Sequence, residues 1–378
     1  MNEAPAVPEL RVHHIEGRPV LVPMRRALRT STGAIDQAPL LLIDLWTRDG
    51  VTGHAYLFGI QPFTLEPLRS LVESLGAMLA GDRLVPFEIE RKLCARLTLL
   101  GSQNLAGMAL SGVDMAVWDA VARARELPLV ALLGGQPGRV PAYNSNGLGI
   151  MPPAEAAAEA SELVAEGFRA LKIRLGRPSP SEDLAAARAV RQAIGAEVAL
   201  MSDFNQFLTV REAIERGRIL DGEGLAWIEE PVRADDLAGC ARVAAELQSP
   251  IQIGENFSGL FQMREALEMR ASDLVMPDLQ RIGGVSGWLR AAALAQAFGI
   301  EMSSHLFPEC SAHLLAVTPT RHWLEYVDWA APVLQEPFVV DDGHLVVPDR
   351  PGTGLEWDEE AVAQFAFGAS GRSRRADA

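Results

Sequence analysis

Short apolar runs alternate with longer helical segments from about residue 140 onward, and this rhythm constrains the fold more than any other feature of the chain. Strand–helix alternation is typical of parallel strands, and eight such strands predict a closed barrel. No clear helix follows the eighth run, so we expect an α/β fold of the TIM type, in its (β/α)7β form. The eight runs are VPAYNSN, FRALKIRLG, EVALMSDFNQ, LAWIEEP, IQIGENF, DLVMPDLQ, IEMSSHLF and HWLEYVD.

The segments on either side of this region have a different pattern. Strand patterns up to about residue 60, followed by helical ones, predict an N-terminal α+β domain over residues 1–135. The barrel is then expected over residues 136–335. Residues 336–378 regain hairpin character and are expected to return to the N-terminal domain, with a disordered tail. A doubly wound open sheet is the alternative fold, but no GxGxxG follows a strand and no P-loop motif occurs.

Composition limits the classes of partner. The 378 residues carry a net charge of -15, which argues against nucleic-acid binding through a general electrostatic footprint. Cys94, Cys240 and Cys310 form no CxxC motif and are expected to be free thiols in a reducing compartment. No signal-peptide pattern and no run of about 18 apolar residues is present, so we expect a cytoplasmic protein without a membrane partner.

Polar residues stand at the C-terminal ends of most of the predicted strands, about one strand–helix unit apart. In a parallel barrel these side chains converge on one mouth, which is the face where barrel enzymes carry out catalysis. They are Lys172, Arg174, Asp203, Asn205, Glu229, Glu230, Glu255, Asp278, His305 and Glu325.

Three carboxylates on consecutive strands, Asp203, Glu229 and Glu255, are the strongest chemical signal in this set. A single acid at a strand end is more typical of a helix cap, but three in a poorly hydrated mouth repel one another unless a cation is bound. An all-oxygen set with open positions favours Mg²⁺ over zinc. His305 and Asp278 lie on adjacent strands, and a carboxylate beside an imidazole orients it and raises its basicity.

At this point the motifs resemble those of the enolase superfamily, and within it the mandelate racemase branch of the mandelate racemase / muconate lactonizing enzyme family. The resemblance implies a capping domain over a (β/α)7β barrel, Mg²⁺ on the three carboxylates, a small carboxylic acid as substrate, and removal of its α-proton to give a metal-stabilised enediolate. We also expect a homo-oligomer. The matching motifs include GVDMAVWDA, SDFNQ, WIEEP, GENF, MPD, RIGGVSGW, MSSHLF, HWLE and PDRPGTGLEWDEE.

The resemblance also implies roles for single residues. Lys172 is expected to contact the substrate carboxylate, and Glu325 to form a hydrogen bond with its other oxygen. Asn205 and, more weakly, Ser145 are expected to contact the metal-side oxygens. His305 is expected to be the base that serves the R face of the α-carbon.

Arg174 departs from the family pattern, which is Lys-x-Lys with the second lysine as the base on the opposite face. Arginine side chains stay protonated, with a pKa above about 12, so Arg174 is expected to be a poor general base. With His305 as the one base, the enediolate could expel a β-hydroxyl group and give a 2-keto acid. Dehydration of an acid sugar is therefore an alternative to racemisation.

The expected substrate pocket favours racemisation or epimerisation of a mandelate-like 2-hydroxy acid. A polyol chain would need polar partners, because unmatched hydroxyl groups are costly to bury. The arginines of the loop PMRRALRTSTG, namely Arg25, Arg26 and Arg29, either meet a second carboxylate or balance the acidic chain. The positions that resemble the apolar substrate pocket of the mandelate racemase branch all remain apolar in this chain. They are Leu28, Ile35, Phe58, Ile60, Leu306 and Val327.

Two further hypotheses are weaker. A muconate-lactonising enzyme would place a lysine after the sixth strand, where this chain has Arg281. A barrel retained only for binding would be expected to have lost some of the metal ligands, and all three are present.

Overall fold

An antiparallel sheet covered by helices forms the N-terminal part of the protein. The computed structural model describes residues 10–31 and 33–368, in which the first three strands pair in the order β1-β2-β3. Residues 40–43 of the central strand are fully buried, because the sheet packs against the helices that follow it. The elements are β1 (Val12–Thr30), β2 (Gly33–Thr47), β3 (Thr52–Phe58), α1 (Leu65–Leu79), α2 (Pro86–Leu97), α3 (Asn104–Ala124) and α4 (Leu129–Leu132).

Helix α3 is the central helix of this region. By length and composition alone it would be long and apolar enough to cross a membrane, but 83% of its most apolar window is buried inside the protein. Two buried acids in this helix, Asp114 and Asp119, take part in hydrogen bonds. We therefore identify α3 as a core helix that joins the N-terminal sheet to the rest of the chain.

Parallel strands form the predicted barrel. β4 to β9 pair in sequence order, and the last barrel strand returns to pair with β4, which closes the ring. The strands are β4 (Arg139–Asn144), β5 (Ala170–Arg174), β6 (Ala199–Asp203), β7 (Leu225–Glu229), β8 (Ile251–Ile253), β9 (Leu274–Val275) and β10 (Leu324–Tyr326). The helices between them are α5 (Pro153–Ala165), α6 (Pro180–Ile194), α7 (Val210–Leu220), α8 (Leu237–Glu246), α9 (Leu260–Glu268), α10 (Leu279–Ile282), α11 (Gly284–Phe298) and α12 (Pro308–Ala316).

The run IEMSSHLF, predicted to be the seventh barrel strand, is an extended segment with isolated bridges rather than a regular strand. Met302 bridges Val275 on one side and Arg321 on the other, and His305 bridges Asp278. These contacts are enough to keep the ring closed. They also bring the last residues of the segment to the same mouth as the regular strands.

The barrel interior explains why β5 carries cations. Its inward positions are Ala170, Lys172 and Arg174, while Leu171 and Ile173 face the surrounding helices. Ala170 lies in a small apolar floor with Tyr143, Met201, Trp227 and Leu274. The two cations follow it towards the mouth, so the interior changes from apolar at its floor to charged at its top.

The C-terminal segment, predicted to return to the N-terminal domain, contacts the barrel first. Strands β11 (Val340–Asp341) and β12 (His344–Val346) form the predicted hairpin, but β12 pairs with the barrel strand β4 and not with the N-terminal domain. The first residues of β4 offer unpaired backbone groups at this edge, which the hairpin satisfies. The chain reaches the N-terminal sheet only afterwards, through Trp357 and helix α13 (Glu359–Phe365). The predicted disordered tail, 369–378, lies outside the described residues.

Buried hydrogen bonds fasten the N-terminal domain to the barrel. The backbone N–H and hydroxyl of Ser286 on α11 donate to Asp114 at 2.9 and 2.6 Å, and Trp118 donates to the same hydroxyl at 2.9 Å. Asp119 joins three segments, since it accepts hydrogen bonds from the backbone N–H groups of His54 at 2.8 Å and Thr353 at 2.6 Å. These contacts hold the domain over the mouth in one orientation.

We predict that Asp119→Ala destabilises the protein by roughly 3–5 kcal/mol, because it leaves buried partners, including the Arg123 guanidinium at 2.5 Å, without an acceptor. Urea denaturation followed by circular dichroism measures the change. Glu197→Ala, at an exposed acid, is the control and should stay within about 0.5 kcal/mol. Equal midpoints for the two variants would contradict the assigned role of Asp119.

Candidate active site

The three predicted metal ligands meet at the mouth of the barrel. Asp203 ends β6, Glu229 ends β7 and pairs with it in register, and Glu255 follows β8 by two residues. One carboxylate oxygen from each lies within 4.8 Å of the other two. The parallel strands bring these acids together, which is the arrangement that the spacing along the chain predicts.

The chemistry of this donor set fits Mg²⁺. All three groups offer hard oxygen ligands, and a cavity at the mouth leaves room for substrate or water oxygens to complete an octahedron. Burial, with Asp203 and Glu325 nearby, raises the pKa of Glu229 to about 8 even though Lys172 opposes this shift. Keeping three carboxylates ionised at this site therefore costs free energy that a divalent cation offsets.

Glu230, the other acid at the end of β7, lies outside this group of three. Its carboxyl accepts a hydrogen bond from the backbone N–H of Gly254 at 3.1 Å. Burial, followed by the charge of Glu255, raises the pKa of Glu230 well above its ordinary value. The two neighbouring glutamates therefore differ: Glu229 belongs to the carboxylate cluster, whereas Glu230 lies outside it and favours the neutral form.

Lys172 lies at the centre of the acidic ring. Its ammonium contacts Glu229, donates to Glu325 at 2.8 Å and lies 3.4 Å from Asp203. Burial lowers the pKa of Lys172, but the three carboxylates outweigh this effect and hold it well above the ordinary value. The lysine is therefore a fixed positive charge, and it lies 5.5 Å from the centre of the Tyr143 ring at the barrel floor.

His305 and Asp278 form the predicted pair. The imidazole Nδ1 lies 2.6 Å from an oxygen of Asp278, whose other oxygen accepts from the backbone N–H of Gln280 at 2.8 Å. A carboxylate only accepts hydrogen bonds, so Nδ1 carries the proton and Nε2 faces Glu255 at 3.3 Å.

The acids around this imidazole also set its charge. Burial lowers the pKa of His305, but Glu325, Glu255 and Asp278 together raise it to about 9. A divalent cation on the carboxylates offsets this field and favours the neutral imidazole, which is the form that accepts a proton.

Arg174 is buried beside the cluster and is bound to a loop. Its guanidinium donates to the carbonyl oxygens of Ser145 and Gly147 and to the Ser145 hydroxyl, each at 3.1 Å. Guanidinium has donors and no acceptor, so this side chain fastens the loop after β4. The hydroxyl of Ser145, predicted to be a weak substrate contact, is already engaged by Arg174.

A cavity of about 150 Å³ contains the remaining predicted site residues. Of the predicted apolar positions, Leu28, Ile35, Phe58, Ile60 and Leu306 line it. Asn205 also lines it, and its backbone N–H and side-chain amide donate to the Asp203 carboxylate at 2.7 and 2.9 Å.

Val327 is the exception and corrects a prediction. It is buried in the hydrophobic core, one residue beyond the end of β10, and does not line the cavity. Trp329 lines the cavity instead, with its ring 4.9 Å from that of Phe58. Gln280 and Arg281 also line it, and neither was predicted as a site residue. Their position two and three residues after Asp278 was the only signal that could have found them.

The arginines of the first hairpin do not point to a second substrate carboxylate. Arg25 pairs with Glu166 at 2.6 Å, and Arg26 pairs with Glu166 at 2.9 Å and Glu159 at 3.0 Å. Both acids flank or belong to helix α5. The side chain of Arg29 is exposed. These charges fasten the hairpin to the barrel.

The geometry defines a metal-dependent barrel enzyme, and comparison with known proteins identifies its family. Residues 15–134 match the mandelate racemase / muconate lactonizing enzyme N-terminal domain, and residues 155–361 match the enolase C-terminal domain-like family. The chain therefore belongs to the enolase superfamily, in the mandelate racemase / muconate lactonizing enzyme family, and is an Mg²⁺-dependent enzyme.

Two solved structures and one curated relative illustrate the similarity. An enolase from the alphaproteobacterium BAL199, with bound magnesium, is 50% identical with a TM-score of 0.93, over 95% of this chain and 100% of that one. An enolase from Bradyrhizobium, complexed with magnesium and mandelic acid, is 43% identical with a TM-score of 0.92, over 95% and 99%. The 3,6-anhydro-alpha-L-galactonate cycloisomerase of Streptomyces coelicolor is 33% identical, over 92% of this chain and 97% of that one. Other relatives include sugar-acid dehydratases and an epimerase, so family membership leaves the reaction open.

We predict that Asp203→Asn weakens Mg²⁺ binding by more than roughly 100-fold. Loss of a group that only forms a hydrogen bond to a metal ligand typically costs roughly 10–100-fold in affinity, and loss of a ligand should cost more. Isothermal titration with Mg²⁺ measures the affinity. Asp114→Asn is the matched control, because Asp114 is another buried aspartate, accepts hydrogen bonds from Ser286 and is not one of the three clustered carboxylates. Equal affinities for the two variants would show that the ion binds elsewhere.

Proposed function

We propose that the enzyme removes the α-proton of a small 2-hydroxy acid with a largely apolar substituent, and that it interconverts the two enantiomers of this acid. The observation that carries the proposal is that the His305–Asp278 pair and the three-carboxylate cluster lie together at one cavity, part of whose wall is formed by apolar side chains. We also propose that Asp203, Glu229 and Glu255 are the ligands of the Mg²⁺ ion.

Lys172 and Glu325 bind the substrate carboxylate in this proposal. The ammonium of Lys172 supplies a positive charge that the neighbouring carboxylates keep in place. Glu325, in its protonated form, donates a hydrogen bond to the other oxygen of the substrate carboxylate and fixes its orientation. When bound, Mg²⁺ supplies a Lewis acid that makes the α-proton more acidic and stabilises the negative charge of the enediolate. The chain's own cation and the ion thus act on the same substrate group.

His305 accepts the α-proton at Nε2. The electrons of the broken C–H bond pass into the carboxylate, which becomes the enediolate, while the imidazole becomes imidazolium. Asp278 holds Nδ1 and stabilises the imidazolium. Return of the proton from Nε2 to the same face regenerates the original enantiomer, and delivery of a proton to the opposite face gives its mirror image.

Arg174 makes the two faces unequal. Its guanidinium must release a proton before it can accept one, and its hydrogen bonds to the loop are all donated by the charged form. We therefore expect rapid exchange from the R face and slow conversion through the S face.

The character and size of the cavity support an apolar substrate. Its volume of about 150 Å³ is below the roughly 300–1,000 Å³ of drug-sized ligand sites, which favours a compact molecule. Apolar side chains from both domains, including Phe58, Leu306 and Trp329, line it. The Bradyrhizobium relative, whose structure contains mandelic acid, is consistent with this class of substrate.

Dehydration of an acid sugar is the second candidate. The presence of an arginine at position 174, where the family has a basic lysine, favours it. A site with one competent base suits removal of the α-proton followed by expulsion of a β-hydroxyl, with imidazolium as the acid. The sugar-acid dehydratases among the relatives support the same alternative. Formation of a 2-keto acid from an acid sugar, without α-proton exchange of mandelate, would decide for dehydration.

We predict that His305→Asn abolishes exchange of the α-proton of (R)-mandelate in D₂O, because asparagine retains polarity but cannot accept the proton. Proton NMR follows the loss of the α-proton signal. A general base contributes roughly 10²–10⁴-fold, which sets the minimum loss of rate. His13→Asn, at an exposed histidine on β1, is the control. Exchange at the wild-type rate in the His305 variant would show that the base is another group.

We predict that Arg174→Lys raises exchange from (S)-mandelate, because a lysine amine can lose its proton and then act as a base. Arg174→Met is the matched control, since both variants remove the guanidinium that donates to the carbonyls of Ser145 and Gly147, and only lysine supplies a base. Single-turnover exchange with each enantiomer measures the effect. Equal S-face rates for the Lys and Met variants would remove position 174 from the proton transfer.

A further inference from the structure

We propose that Gln280 binds a hydroxyl oxygen on the α-substituent of the substrate. The enzyme then selects a 2-hydroxy acid whose substituent is largely apolar and carries one hydroxyl group. This inference rests on the proposed function and narrows its substrate class.

Gln280 is a buried polar side chain in the wall of the catalytic cavity. It lies on the short helix α10, directly after Asp278, and only 1% of its surface is exposed. The carboxamide oxygen accepts a hydrogen bond at 3.0 Å from the backbone N–H of Phe58, at the end of β3. The side chain therefore bridges the barrel and the capping domain at the edge of the cavity.

The orientation of the carboxamide follows from this bond. A backbone N–H can only donate, so the oxygen of Gln280 must face Phe58 and the Nε2 group must point the other way. Among the residues that the structure describes, none accepts a hydrogen bond from Nε2, and this atom is not among those sealed from solvent. Because Gln280 lines the cavity, we infer that Nε2 faces the space where the substrate binds.

The surroundings indicate which part of the substrate meets this donor. The carboxylate-binding charge, Lys172, lies inside the barrel among the carboxylates, 5.5 Å from the centre of the Tyr143 ring. Gln280 instead adjoins the cap side, where Phe58 packs against Trp329. The donor thus faces the substituent on the α-carbon and not the carboxylate. It lies beside the apolar side chains of Phe58 and Trp329 in the cavity wall.

The group that fits is neutral. Arg25 and Arg26 of the first hairpin are engaged by acids of the barrel and do not line the cavity, so neither places a free charge beside Nε2. Arg281 does line the cavity, and its Nη1 group donates to the side-chain oxygen of Asn256 at 2.5 Å, while its buried Nε has no partner among the described residues. A buried N–H without an acceptor costs roughly 1–3 kcal/mol, so a substrate oxygen at this point is favoured over a plain hydrocarbon.

Substrates matched in size test the hypothesis. We would measure α-proton exchange in D₂O with mandelates that carry a hydroxyl or a methyl group at the same ring position, for the ortho, meta and para series. One hydrogen bond predicts that the wild-type enzyme prefers the hydroxyl over the methyl form by roughly 3- to 10-fold at one of these positions. The comparison separates hydrogen bonding from size and needs no variant.

Gln280→Met removes the donor at similar volume, and the hydroxyl-to-methyl ratio should then fall close to one. This ratio does not depend on how much of the variant is folded, because both substrates are tested on the same sample. Gln296→Met, on the exposed face of α11, should keep the wild-type ratio.

The outcomes separate this inference from the proposed function. Two results would overturn the role of Gln280 and leave the proposed reaction standing. The wild-type enzyme could exchange the α-protons of mandelates without preferring the hydroxyl forms, or the preference could persist in Gln280→Met. Absence of exchange with every 2-hydroxy acid would overturn both.

Discussion

The mutual repulsion of carboxylates at the barrel mouth is the constraint around which the rest of the site is arranged. Asp203, Glu229 and Glu325 all lie within 3.4 Å of the Lys172 ammonium, in a region almost closed to water. Lys172 and the nearby Arg174 supply two positive charges against four carboxylates, these three and Glu255, so the arrangement favours a further cation. We propose that Mg²⁺ is this cation, and that it also stabilises the negative charge that develops on the substrate when the α-proton is removed.

The backbone at the mouth is held in conformations that cost free energy. Asn205 and Leu306 both have positive φ values, 46° and 51°, in the left-handed region that side chains other than glycine rarely adopt. Each is held by a carboxylate of the site, because the N–H of Asn205 donates to Asp203 and that of Leu306 donates to Glu325. Such residues cost about 1–3 kcal/mol each and persist where the surroundings over-determine them. The acids therefore shape the loops as well as carrying charge.

The features that follow from the strand–helix periodicity could be predicted from the sequence. The contacts between residues far apart in the chain could not. Strand periodicity places Asp203 at a strand end and directs Lys172 inward, so the acidic mouth follows from local pattern alone. The pairing of Arg26 with Glu159, the use of Arg174 to fasten a loop, and the bond between Phe58 and Gln280 join residues from different elements. Their partners are set by tertiary packing, which periodicity does not encode.

The central claim is that the acidic cluster, loaded with a divalent cation, enables a buried base to remove an α-proton. Proton NMR of (R)-mandelate in D₂O with the wild-type enzyme tests it most directly, in paired samples that contain either Mg²⁺ or an excess of chelator. We expect the α-proton signal to disappear in the Mg²⁺ sample and to persist in the chelated one, with exchange restored when Mg²⁺ is added back. Exchange that continues after exhaustive chelation, or no exchange of this or any other 2-hydroxy acid with Mg²⁺ present, would contradict the claim.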